Sequence, residues 1–225
     1  MTSFDPISLA VVLALLALVP LAAVMTTSFL KIAIVLTLVR NALGIQQVPP
    51  NIALYGLALI LSAYVMGPVV MQMGTELRTV GVAMESAEPG VPPPNRITSI
   101  MDAVTRGAEP LRGFMYKHSR PEQRDFFVRT ARELWGQEQA RNLKEDDLLV
   151  LIPAFLLSEL TAAFQVGFLL YLPFVVIDLI VSNILLAMGM MMVSPVTISM
   201  PLKLFLFVMV DGWTRLIQGL VLSYG

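Results

Sequence analysis

Cysteine is absent from this 225-residue chain, and histidine occurs once. The first absence removes disulfides, thiol nucleophiles and thiolate metal sites together. The second leaves too little imidazole for a histidine metal centre, and the neighbours of His118, Lys117 and Arg120, point to a solvated position for it. The chain contains no H-E-x-x-H, no G-x-S-x-G and no Walker-type phosphate loop. No cofactor or metal is therefore expected, and the chain does not read as an enzyme. Charge is also scarce, at 14% of residues against about 25% in soluble globular domains. A net charge of −1 supplies no global electrostatic reason for a nucleic-acid partner. No Lys or Arg precedes the first apolar run, where Asp5 stands instead, so a cleaved signal peptide is not expected.

What the chain has in excess is apolar sequence. Hydrophobic residues make up 56% of it, and a mean hydropathy of +0.77 places it among membrane or membrane-associated proteins. The charges are partitioned: residues 1–75 carry only Asp5, Lys31 and Arg40, residues 76–150 carry 23, and residues 151–225 carry five. The reading is an all-α chain in three parts. Apolar helical hairpins occupy 1–75, a polar helical extramembrane insert occupies 76–147, and apolar helices with a Met-rich loop occupy 148–225.

Taken in order, Ile7–Met25 is an apolar run near the roughly 20 residues that cross a bilayer, with Pro20 expected to kink it. Thr26, Thr27 and Ser28 offer caps for a second helix, Phe29–Ala42. That helix carries Lys31 and Arg40, which either pair inside a helical assembly or snorkel to its boundaries. Gly44 is placed to end it in a left-handed conformation, and Pro49-Pro50 with Asn51 turns the chain into a third apolar run, Ile52–Met73. The polar insert opens with the stiff Pro89–Pro94 linker. It continues as an amphipathic helix, or a pair broken at Pro110, and then a helix announced by the capping-box pattern Ser119-Arg-Pro121-Glu122.

In the last part, Pro153, Pro173, Pro195 and Pro201 are expected to divide the apolar sequence into pieces. Ser158, Thr161, Ala162 and Gln165 share a face suited to helix contact, flanked by Glu159, which needs a partner or a proton. Met188, Met190, Met191 and Met192 surround Gly189 just before Ser194-Pro195, which predicts a loop or broken helix. These methionines are either core filler or a flexible apolar seal. A small multi-helix transporter or ion channel, with Lys31, Glu159 and Asp178 as an intramembrane relay, is one function compatible with this pattern. No inverted repeat between the two apolar parts accompanies it.

Several runs in joint order resemble one family. They are Phe29-Leu-Lys31-Ile, Arg40-Asn-Ala-Leu-Gly44 with Gln46-Gln47 and Pro49-Pro50-Asn51, Ser158-Glu159-Leu with Ala163-Phe-Gln165-Val-Gly167-Phe168, Tyr171-Leu-Pro173-Phe174, Ile177-Asp178, the Met188–Met192 run and Val210-Asp211-Gly212-Trp213. Together they resemble the SctR/FliP family of type III secretion export-apparatus proteins, of the YscR/HrcR-like virulence branch more than the flagellar one. The resemblance implies a core subunit of an export gate: a homopentamer that builds, with SctS/FliQ-like and SctT/FliR-like subunits, a pore for unfolded proteins in the bacterial inner membrane. SctU/FlhB-like and SctV/FlhA-like components are further implied partners. It also implies that much of the apolar sequence is raised to the periplasmic side and buried against neighbours, and that the Met run acts as a pore gasket. Lys31, Arg40, Glu159, Gln165, Asp178 and Asp211 are the polar residues expected to serve assembly.

Overall fold

The computed structural model describes residues 6–45, 48–85 and 96–225. The Pro89–Pro94 linker and Gln46-Gln47 lie outside the described residues. Among those described, the secondary structure is eight helices: α1 (Pro6–Thr26), α2 (Phe29–Ala42), α3 (Asn51–Glu85), α4 (Arg96–His118), α5 (Pro121–Trp135), α6 (Leu148–Ala187), α7 (Pro195–Met209) and α8 (Gly212–Leu222). The all-α expectation is met, and α2 has the predicted limits. Within the described residues, two helices, Asn51–Glu76 and Leu148–Ala187, are long and apolar enough to cross a membrane, or up to four spans if each of two bent pairs counts as one.

Pro195 divides the chain as expected, opening α7, but the other prolines do not. α6 runs unbroken for 40 residues through Pro153 and Pro173, α7 runs through Pro201, and α4 through Pro110. A proline inside a helix costs about 3 kcal/mol. Ending the helix in apolar surroundings would leave up to four unpaired acceptors at the new C-terminus and four unpaired donors at the new N-terminus, which costs more where no water can reach them.

The expected caps also differ. Ser28 has helical φ and ψ (−67°, −4°) and makes no side-chain cap. It donates to Ser62 Oγ at 3.1 Å instead, while Thr26 and Thr27 bond back to the carbonyls of Ala22 and Ala23. Hydroxyls that bond the preceding turn are not available to the following one. Arg120, not Ser119, stands at the start of α5, with Pro121 in its first turn and no side-chain cap bond. Asn51 lies within α3 and accepts from Arg40 at 2.6 Å. Gly44 has the predicted left-handed conformation, φ +76°.

The chain divides into two compact units. The first comprises residues 1–27 and 66–158. Here Phe114, on the apolar face of α4, meets Phe155 edge-on at 5.8 Å, and the half-buried His118 packs one side of its ring on Phe114 at 4.6 Å. Arg124 is a buried hub: its guanidinium donates to Ser119 O (2.6 Å), Ser119 Oγ (2.9 Å), Tyr116 O (3.2 Å) and Glu145 (3.2 Å). Ser158 belongs to this unit, accepting from the Arg120 N–H at 2.9 Å and donating to Ala154 O.

The second unit comprises residues 28–65 and 159–225. Its core is α2, whose Ile32, Val35, Leu36 and Val39 are buried with Leu54, Ala58, Ala163, Phe174, Phe207 and Leu216. A helix apolar on all sides suits lipid and protein interior equally; here it is packed in protein. Gly167 marks the closest approach, because a Cβ there would lie 2.3 Å from Leu38 Cδ1 and 3.3 Å from Leu38 Cβ. Gly167→Ala is expected to destabilise the chain by about 1–3 kcal/mol through overpacking. A thermal melt of detergent-solubilised protein checks it, and an unchanged midpoint would show that Leu38 rotates away without cost.

Candidate functional site

The Met-rich run follows from how α6 ends and α7 begins. The N–H of Met190 bonds Leu185 O at 2.9 Å and the N–H of Gly189 bonds Leu186 O at 3.0 Å, with Gly189 at φ +72°. This pairing is the Schellman arrangement, and its left-handed position suits glycine. Ser194 is extended (ψ 120°), and Pro195 stands in the first turn of α7, where its missing N–H leaves nothing unpaired. The loop between them presents its thioethers outward. Met188, Met190, Met191 and Met192 are 63%, 44%, 83% and 101% exposed, so they do not fill the core of their own chain.

The polar residues expected to serve assembly resolve into local groups. Lys31 and Glu159, both buried, lie 4.0 Å apart. Lys31 Nζ donates to Ser223 Oγ at 2.8 Å and sits 4.2 Å from the centre of the Tyr224 ring, while the Tyr224 hydroxyl donates to Glu159. Of the two alternatives for Lys31, interior pairing is the one found. Tyr224, beyond the end of α8, has its phenol pushed far above the usual range, by burial first and then by the Glu159 carboxylate it bonds. It stays protonated and remains a donor.

Asp178 joins a different group. It accepts from Lys203 Nζ at 2.6 Å and from Ser199 Oγ at 2.5 Å. Lys203, buried, also reaches Ala42 O at 3.4 Å, so a cation stands at the C-terminal end of α2. Arg40 is half-buried and bonds Pro49 O (3.2 Å) and Asn51, tying the end of α2 to the start of α3. Asp211 has φ +53°, a left-handed conformation that non-glycine residues seldom adopt, and accepts from Thr214 at 3.0 Å. Gln165 lies on an exposed strip of α6 beside Phe164 and Phe168.

The relay of Lys31, Glu159 and Asp178 is thus divided between two ion pairs. Lys203, Ser199, Ser223 and Tyr224 are partners that sequence reasoning did not assign. A lone Lys inside an apolar run demands an acid, so Lys203 was a readable signal. Which acid it meets was not readable, since candidates lay on several helices. Among the described residues no three or more His, Asp or Glu are placed to hold a metal ion.

The arrangement is one of buried pairs that hold helices together and an exposed apolar loop. The model of the FliP family matches residues 12–220. The chain is 52% identical to "Yop proteins translocation protein R" of Yersinia pestis over 98% of this chain and 97% of that protein. It is 48% identical to "Virulence protein YscR" of Salmonella typhimurium and 46% identical to "Harpin secretion protein HrcR" of Erwinia amylovora, each over 98% of this chain and 97% of the relative. With the family model and these relatives matching nearly the whole chain, the chain belongs to the FliP family.

Proposed function

We propose that this FliP-family chain is a core subunit of the type III secretion export gate, one of several copies that form the pore through which unfolded proteins leave the cell. One observation carries the reading: the full-length similarity to proteins named for the translocation of Yop proteins and the secretion of harpins. Proteins of this kind are structural components of a secretion apparatus and not enzymes.

The copies form a homopentamer in the bacterial inner membrane, largely on its periplasmic side. They assemble with SctS/FliQ-like and SctT/FliR-like subunits, and the complex meets SctU/FlhB-like and SctV/FlhA-like components. The polar insert of residues 76–147 faces the periplasm. α6 supports burial of apolar sequence outside the bilayer, because 40 residues at about 1.5 Å each extend for roughly 60 Å, twice the hydrocarbon thickness of a bilayer. Part of so apolar a helix must then be covered by protein. Met188, Met190, Met191 and Met192 form the gasket of the pore. Lys31, Arg40, Glu159, Gln165, Asp178 and Asp211 serve packing and assembly.

Against the transporter alternative, Glu159 and Asp178 each have a cation and a hydroxyl of their own, an arrangement suited to packing more than to a shared relay. Purified size separates the two readings. In mild detergent the gate runs as a large ring that retains small helical partner subunits. A monomer or dimer without partners would support a transporter and overturn the gate.

A further inference from the structure

A cavity of about 420 Å³ opens among α2, α6, α7 and α8 of the second unit. Its walls are apolar, with Leu170, Phe174, Phe207 and Leu216 among them, and its charged lining residues are Lys31 and Arg215. Among the described residues no carboxylate lines it. Lys31 is matched by Glu159. Arg215, exposed at the same cavity, makes no side-chain hydrogen bond or ion pair among the described residues, so the cavity carries one cation without a close counter-charge.

The opening is built into α8. Gly212, Leu216, Gly219 and Leu220 share one face of that helix, at spacings of four, three and one. A Cβ at Gly219 would meet nothing within 4 Å. An open apolar cleft of this size is poorly served by water, which gains too few partners on its walls. An occupant suited to it is an apolar chain joined to an anion: the chain replaces the missing packing, and the anion answers Arg215, whose planar guanidinium suits a phosphate.

We propose that this cavity holds an acyl chain of an anionic phospholipid whose phosphate is bound by Arg215. The site does not depend on what the assembly exports. The direct test is extraction of phospholipid from detergent-purified complex and its quantification per chain by mass spectrometry. Wild-type protein is expected to retain a stoichiometric phospholipid, enriched in anionic over zwitterionic species relative to the membrane. Gly219→Leu, which fills the cavity, should lose it. Arg215→Gln should keep the fold and lower the anionic-to-zwitterionic ratio about tenfold, the effect of one charged hydrogen bond. Wild-type complex carrying no phospholipid overturns the proposal, as does assembled Gly219→Leu complex that keeps the wild-type amount. So does a Gly219→Cys chain, otherwise free of cysteine, whose thiol, alkylated by a maleimide that carries a photoactivatable group, is captured by a neighbouring subunit on illumination, because protein then occupies the cavity.

Discussion

Glu159→Ala should lower recovery of the assembled complex sharply, with a loss of stability of about 3–5 kcal/mol, because it leaves the Lys31 ammonium buried without its counter-charge. The remaining partners, Ser223 Oγ and the face of Tyr224, solvate a cation but do not neutralise it. Lys31→Met should cost a similar amount, since among the described residues it leaves Glu159 with only the Tyr224 hydroxyl. The double replacement Lys31→Met with Glu159→Leu is expected to recover most of the loss. A buried ion pair exchanged for apolar side chains of similar volume is often neutral or stabilising. Tyr224→Phe removes one bond to a carboxylate and should cost about 1.5–3 kcal/mol, less than Glu159→Ala. Thermal unfolding in detergent and the yield of complex measure all four. If Glu159→Ala assembles normally while secretion stops, the residue acts in transport and not in packing.

Replacing Met190, Met191 and Met192 together with Ala is expected to separate stability from sealing. The three side chains are exposed in the subunit, so the folded chain should change by less than about 0.5 kcal/mol at each. Around a pore the same side chains would meet copies of themselves. Unbranched thioethers can close without charge or fixed shape and yield to varied passing side chains, and an apolar constriction blocks ions by dewetting. Shortening them to methyl groups widens the constriction and lets water and ions persist in it. The reconstituted complex carrying the triple replacement should therefore leak ions when idle, well above wild type, with assembly intact. Unchanged conductance in a correctly assembled triple variant would remove the sealing role from the loop.

Much of the architecture was legible in the residues themselves. The limits of α2, the left-handed turn at Gly44, and the break between Gly189 and Pro195 follow from apolar runs and from where Gly and Pro stand. These are preferences of a few adjacent residues, and they survive in any surroundings that do not oppose them. The joint order of short motifs pointed to the family for a similar reason, since each motif is contiguous. The tertiary structure alone decided the rest. Pro153, Pro173 and Pro201 stay inside helices because interrupting backbone hydrogen bonding costs more in apolar surroundings than one lost donor. Ser28, Ser119 and Asn51 bond elsewhere than at the caps their spacing suggested, because nearer partners compete for them. The assignment of charges was least legible: Lys31 meets Glu159 and Ser223, the latter 192 residues away, and Asp178 meets Lys203. A buried charge requires a partner wherever it stands, but only the packing of α2 against α6, α7 and α8 determines which residue that partner is.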